Sequence, residues 1–402
     1  MGGRIVDRVW EANLERDTPA RYRQACRYQA FVPDPLAQLP PTIKLDLAGL
    51  VAEAEAQVQR LNELARPALL PLSRLLLRTE SIASSKVEGL AVDARALARA
   101  EARLDVGEGR VSATAIEVLS NIDAMETAVH EASGSDRFGT EEIMRIHAQL
   151  LERTPYAHLA GRIRTRQNWI GGNDYNPCGA DFVPPPPEEV PALLDDLFQA
   201  INDDVLPPVV QAALVHAQFE TIHPFEDGNG RVGRALIHVV LRRRGLAEHY
   251  VPPISVLFAR ERERYIRGLV LFRAKDGLAD WIEHFAVAAA RAARMASRYL
   301  EEVARLGEQW RSALENTVSP PRRDAAAWAI IDTLPGYPYI TAPIAAAATR
   351  RSKPQVYEAV EQLQGAGVLR AAGKAGRAAV YEADGLLALL AALEHGDLTE
   401  DP

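Results

Sequence analysis

Twelve consecutive residues, His223-Pro-Phe-Glu-Asp-Gly-Asn-Gly-Arg-Val-Gly-Arg234, concentrate the chemistry this chain can do. His223 is the residue type whose proton affinity suits general-base work near neutral pH. Gly228, Asn229 and Gly230 can take dihedrals that aim successive backbone N–H groups at one point. Such a nest, leading into a helix that starts near Arg231, is an anion site. Arg231 and Arg234 stand three apart, so both face the side of that nest. Two guanidinium forks over an amide nest suit a polyphosphate. Asp227 is an acid in a site otherwise built for anions, and a magnesium ion between it and the phosphates accounts for its place. A Gly-Asn-Gly alone would read as a turn at a helix start. The whole segment specifies nucleotide phosphates, magnesium and a base that activates a nucleophile.

The elements that position these residues are mostly helices. Asp46 to Ala65 carries Leu50, Val51, Ala54, Val58 and Leu61 at helical spacing, and Pro71 to Glu88 does the same with Leu72, Leu75, Leu76 and Ile82. Helices are expected over Val111 to Ser133 and Thr140 to Thr154, with a loop around Gly134. The pattern breaks between Gly161 and Pro187. Short β-prone pieces around Gly171-Gly172-Asn173-Asp174 predict an irregular hairpin, and Pro184 to Pro187 a stiff extended exit. Helical pattern returns at Glu188, and one helix should end near Ile222, with His223 and Asp227 in the loop after it. Residues 314–323 read as a linker. Beyond it, helices over Asp324 to Leu334, Ile340 to Thr349 and Ser352 to Gly365 precede a β-hairpin around Val368 to Arg370 and Ala379 to Tyr381. Three helices and a basic hairpin describe a winged helix-turn-helix.

Composition bounds the rest. With 402 residues, 48% apolar and 25% charged, the chain is ordinary globular material with room for two or three domains. A uniform nucleic-acid binder would be basic, and the formal charge is −8. Arg322 to Glu382 holds eight Arg/Lys against five Asp/Glu, a local surplus of +3, while Ala383 onward is an acidic tail. Two cysteines, Cys26 and Cys178, exclude a disulfide framework and a four-cysteine zinc site. Cys178, with no base or second Cys near it in sequence, reads as incidental. No apolar run spans a bilayer and the N-terminal residues lack a signal-peptide pattern, so a reducing cytoplasm is the expected compartment.

The segment 223–234 resembles the Fic motif, His-x-Phe-x-(Asp/Glu)-Gly-Asn-Gly-(Arg/Lys)-x-x-Arg, at every fixed position. Most Fic proteins transfer AMP from ATP onto a hydroxyl side chain of a target protein. The resemblance implies that His223 deprotonates that hydroxyl and Asp227 holds Mg2+. It gives Gly228, Asn229 and Gly230 the phosphates, Arg231 the β-phosphate and Arg234 the γ-phosphate, with Phe225 anchoring the loop. Ser84-Ser-Lys-Val-Glu88-Gly89 places Ser84 and Glu88 at i and i+4 with Gly89 as a helix stop. It is similar to the inhibitory motif of the family, which implies that Glu88 pairs with Arg234 where the γ-phosphate would sit. Breaking such a pair, if buried, costs about 3–5 kcal/mol. Trp169-Ile170-Gly171 and Phe182 to Pro185 look like the two arms of the flap that holds the target by strand addition. Tyr265-Ile266 stands where the family often has a Tyr-Tyr pair, so Tyr265 is the candidate for lining the nucleotide pocket. His147, His216 and His238 lie within helical patterns and read as packed or capping residues.

The expected fold is therefore dominated by α-helix: a helical Fic core with a short β-hairpin flap, plus a C-terminal winged helix. The expected division is 1–110 with the inhibitory helix, 111–313 as catalytic core, 314–323 as linker and 324–402 as winged helix with acidic tail. The resemblance extends from about residue 35, including Leu39-Pro40-Pro41, to about 300. Its implied partners are ATP, an unidentified target protein and the chain itself, with a homodimer as the family's usual assembly and no membrane. Removal of AMP, a different donor such as UTP, and a nucleotide-sensing DNA-binding regulator are the rival readings. The last would use Arg350, Arg351, Lys353, Gln355 and Tyr357, with Lys374 and Arg377 in the wing.

Overall fold

The computed structural model describes residues 2–12, 18–38, 45–65, 72–92, 96–97, 100, 111–375 and 378–398. Leu39-Pro40-Pro41 and Arg377, both singled out above, lie outside them. The described chain is helix-rich, with small antiparallel sheets. Among the described residues no helix is long and apolar enough to cross a membrane.

It divides into two compact units, each assembled from separated segments. The first holds Met1–Glu55, Ser120–Leu246 and Glu261–Ala288. Its N-terminal part is an antiparallel ribbon of β1 (Gly3–Trp10) and β2 (Cys26–Pro33), paired from Gly3↔Pro33 to Trp10↔Cys26. The expected N-terminal helical region thus begins as strands. A local cause is visible in β2, where Arg27 and Gln29 alternate with Cys26, Tyr28 and Ala30 at a period of two.

Helices α1 (Leu45–Glu63), α2 (Leu72–Val87), α3 (Ala113–Glu126) and α4 (Thr140–Leu151) follow, near the expected boundaries. Then come α5 (Val190–Asn202), α6 (Pro208–Ile222) and α7 (Asn229–Arg243). Every residue of α6 from Val209 to Ile222 is buried, the polar Gln211, His216, Gln218, Glu220 and Thr221 included. Helix α7 packs against it, and the crossing depends on Gly233. A Cβ there would meet Glu220 Oε1 at 2.8 Å and the Phe219 ring at 3.0 Å. Helices α8 (Ile254–Arg260), α9 (Arg262–Arg273) and α10 (Leu278–Glu315) complete the stretch, and the end of α10 takes in the first residues of the expected linker.

The second unit holds Ala56–Leu119, Ala247–Arg260 and Ala289–Pro402. Within it α2 packs on α8 through the buried Glu80, whose carboxylate accepts from the Ser255 amide at 2.8 Å and its hydroxyl at 2.5 Å. These bonds satisfy the start of α8. Its C-terminal part runs α11 (Ala326–Thr333), β3 (Tyr339–Thr341), α12 (Ala342–Thr349), α13 (Lys353–Gly365), β4 (Leu369–Ala375), β5 (Ala378–Ala383) and α14 (Leu386–His395). The sheet order is β3-β5-β4. Two expectations change here. Ile340 and Thr341 are strand rather than helix, because they pair with Tyr381 and Val380. The stretch read as an acidic tail contains α14, since Leu386, Leu390 and Leu393 recur at helical spacing and are buried.

Candidate active site

Helix α6 ends at Ile222, and His223 turns out of it with φ 51° and ψ 60°. That left-handed conformation costs an L-residue other than glycine about 1–2 kcal/mol. The His223 N–H still accepts its place in the helix by donating to Phe219 O. The ring Nδ1 lies 3.3 Å from Glu220 O. A carbonyl only accepts, so Nδ1 carries the hydrogen and Nε2 keeps its lone pair. The geometry therefore leaves Nε2 as the basic nitrogen.

Five residues on, Gly228 (φ 81°) precedes α7, which begins at Asn229 rather than near Arg231. Gly228 is required twice over: its φ disfavours a side chain, and a Cβ would meet Leu150 Cδ2 at 2.8 Å. No side chain caps α7, and first-turn amides of such a helix are donors suited to an anion. Arg231 and Arg234 of α7 are buried, at 4% and 1% exposure. Arg231 reaches back to Asp227, Nη2 to Oδ2 at 3.3 Å. Asp227 keeps 40% of its side chain exposed.

The loop between the two helices is held by its carbonyls, one by one. Arg164 Nε donates to His223 O at 2.8 Å and its Nη2 to Ile222 O at 3.3 Å. The Arg164 N–H donates to Pro224 O at 2.9 Å. Asn168 Nδ2 donates to His223 O at 3.2 Å and to Phe225 O at 2.8 Å. Asn229 closes on Phe225 from both sides, accepting from its N–H at 2.9 Å and donating to its carbonyl at 2.8 Å. Phe225 is fully buried, as its anchoring role requires. His147 stacks on the Phe225 ring at 3.7 Å. Its Nδ1 accepts from Gly161 N–H, so its Nε2 donates to Asp227 O at 3.0 Å. Burial pushes the His147 pKa down to about 4, against the milder pull of Asp227. His147 is thus a packed, neutral residue, and it positions the backbone of the acid.

The stretch from Arg164 to Pro185 forms the expected hairpin, though its pairing is a single bridge between Ile170 and Phe182. Gly171 and Gly172 make the turn with φ 75° and 76°. A Cβ on Gly172 would meet Gly179 O at 2.9 Å. The ribbon continues this structure: Phe31 N–H donates to Val183 O at 2.9 Å. Trp10 meets Trp169 edge-on at 5.4 Å and Tyr22 stacks on Tyr175 at 5.3 Å. Cys178 is joined to Cys26 of β2 by a disulfide. The reading of Cys178 as incidental is therefore corrected, since the fold brings together cysteines 152 residues apart. From α9, Arg273 lies over the Phe182 ring at 3.7 Å.

Residues 137–241, which include the whole segment 223–234, match the Fic/DOC family. The chain carries a Fic domain. Residues 48–130, which include Ser84 to Gly89, match the Fic/DOC family N-terminal region. A probable protein adenylyltransferase from Aquifex aeolicus is 42% identical over 92 residues, 23% of this chain and 26% of that protein. A protein adenylyltransferase, fic-1, from Caenorhabditis elegans is 31% identical over 133 residues, 32% of this chain and 23% of that protein. The matches thus span only about a quarter of these relatives' length. A crystal structure of a Fic family protein from Desulfovibrio desulfuricans superposes with a TM-score of 0.53 at 22% identity, over 86% of this chain and 98% of that chain. That likeness concerns the fold.

The remaining expected residues of the Fic domain and its N-terminal region fall as follows. Tyr265, on α9, is buried, with its hydroxyl 2.9 Å from His216 Nε2. Burial, followed by the nearby Arg234 and His238 charges, drives His216 down to about 3, against the pull of a backbone bond at Gly233. Ser84 is buried on α2. Gly89 (φ 82°) ends that helix, with Leu90 N–H donating to Ser85 O. Glu88 is exposed. Arg164, Asn168 and His147 were not found as site residues from sequence. Only His147 left a trace, on the apolar face Ile143–Ile146–His147–Leu150 of α4.

Proposed function

We propose that this protein transfers AMP from ATP to the hydroxyl of a Ser, Thr or Tyr side chain on a target protein, itself included. The observation that carries the reading is His223, with Nδ1 turned to Glu220 O, in the loop five residues before Gly228, which leads into the uncapped start of α7. The acceptor oxygen attacks the α-phosphorus. The bond from that phosphorus to the β-phosphate's bridging oxygen breaks, and pyrophosphate leaves. His223 Nε2 takes the hydroxyl proton. The first amides of α7, with Arg231 and Arg234, stabilise the negative charge that gathers on the departing pyrophosphate. Trp169, Ile170 and Gly171 offer the open flap edge to the target backbone, and Ile170 is partly exposed there.

Magnesium is part of this proposal. Asp227 is a part-exposed carboxylate beside Arg231. That fits an ion held by one carboxylate and by substrate phosphates, and its chemistry would be charge neutralisation. Glu88 is proposed to restrain productive nucleotide binding.

Helices α11, α12 and α13 with the sheet β3-β5-β4 are read as a winged helix, and a cytoplasmic setting is kept as part of the proposal. Cys26–Cys178 weighs against that setting, since cytosolic disulfides are uncommon.

The test is labelling with α-phosphate-labelled ATP and magnesium in the wild type, Glu88→Gly and Glu88→Gly/His223→Ala. Label on protein is expected in Glu88→Gly, above wild type, and none once His223 is replaced. ATP binding without label in any form, cell extract included, would sink the transfer reading. AMP removal, another donor or nucleotide sensing would then take its place.

A further inference from the structure

The buried guanidinium of Arg164 has an unusual set of partners. A buried Arg is ordinarily neutralised by a carboxylate, because an uncompensated charge is costly to bury. Arg164 is 3% exposed, and each of its side-chain hydrogen bonds goes to a main-chain carbonyl. Nε takes His223 O, Nη1 takes Arg166 O at 3.0 Å, and Nη2 takes Pro185 O at 2.6 Å and Ile222 O. Burial lowers its pKa only to about 10, with Glu188 and Tyr28 pulling the other way, so the charge is present at neutral pH.

The carbonyls come from three places that the reaction must bring into register. Ile222 and His223 carry the base, Arg166 opens the flap, and Pro185 closes it. Asn168 repeats the link from the first flap arm, to His223 O and Phe225 O. Gln167 Nε2 closes the flap on itself at Pro184 O, 2.9 Å away. No phosphate-binding residue takes part.

We propose that Arg164 and Asn168 are positioning residues for proton transfer. They lock His223 in its left-handed conformation and fix it against the flap on which the acceptor docks. A lysine cannot replace the arginine, because one ammonium cannot span carbonyls that a planar fork reaches in different directions. A residue holding the base against the acceptor affects turnover, whereas nucleotide affinity belongs to the α7 nest. The inference rests on the reading of His223 as base for AMP transfer.

The test uses the full chain with Arg164→Lys and Asn168→Ala, each checked for an unchanged near-ultraviolet circular dichroism spectrum. Asn168 is half-buried, so its variant keeps the experiment open if Arg164→Lys does not fold. In the Glu88→Gly background, the labelling rate at saturating ATP should fall about a hundredfold for Arg164→Lys and about tenfold for Asn168→Ala. The ATP dissociation constant should stay within about twofold of the parent. Selective 15N-histidine spectra should show moved His223 ring resonances in both variants. Unmoved His223 resonances or parental rates in a folded variant overturn the proposal. If the parent itself carries no label, AMP transfer fails as a reading. The His223 resonances then still decide whether Arg164 and Asn168 position that ring.

Discussion

His223 occupies a backbone conformation that glycine would adopt at no cost, yet glycine has no base to offer. The loop is held instead by side chains from elsewhere that bond the carbonyls of Ile222, His223, Phe225 and Asp227. His147 shows what the arrangement demands of protonation. Its Nδ1 must accept from Gly161 N–H, which an imidazolium cannot do. Its folded pKa is about 4 against an ordinary 6.5. Above pH 6.5 neither folded nor unfolded chain holds the proton, and the site's stability is fully present. Between 6.5 and about 4 only the unfolded chain binds it, so stability falls as pH falls, by up to about 1.4 kcal/mol per pH unit. His216, lowered to about 3, and His284, lowered to about 4, act in the same direction. Urea titrations at pH 7 and pH 5 should therefore show a clear loss at pH 5. His147→Gln, which keeps an acceptor and a donor, should reduce the loss by one proton's worth. An equal loss in the variant would show that His147 is not protonated on unfolding.

At the scale of elements, the flap is a short hairpin that could not hold itself. Its one bridge pairs Ile170 with Phe182, and isolated hairpins are marginal in water. The ribbon β1–β2 supports it through Phe31 N–H to Val183 O, the Trp10–Trp169 and Tyr22–Tyr175 contacts and the Cys26–Cys178 bridge. Cross-linking positions so far apart restricts the unfolded chain, by about 2–4 kcal/mol in typical cases. Cys178→Ser, or the wild type in dithiothreitol, should lose stability of that order in denaturant titrations. The same samples should show faster protease cleavage between Gly171 and Gly179. Unchanged midpoint and cleavage would mean that the aromatic contacts alone hold the flap. The flap's existence was legible in its Gly/Asn/Asp turn and prolines. Its fastening was not, because two cysteines at that separation carry no pattern and the strands of the ribbon lie far upstream.

At the scale of the whole molecule, the charge of −8 weighs on the proposed winged helix. Helix α13 exposes Lys353 and Gln355 near its start, but also Glu358 and Glu361 further along. Acids on that helix repel phosphates, which supply most of the non-specific attraction to a duplex. No retardation of mixed-sequence duplex DNA is expected in gel shifts at 150 mM salt. A shift that weakens with salt and vanishes when Arg350, Arg351 and Lys353 are replaced by Ala would overturn this and favour the regulator reading. The sequence alone carried the contiguous motif at 223–234 and most of the helices. Both are written locally, in contiguous residue types and in a period of 3.6. Only the tertiary structure decided what holds the loop from His223 to Asp227: Arg164, 59 residues from His223, Asn168, 55 residues away, and His147, 80 residues from Asp227. The reason is physical. Every residue has a carbonyl, so a loop fastened by its carbonyls leaves no mark in its own sequence of what fastens it.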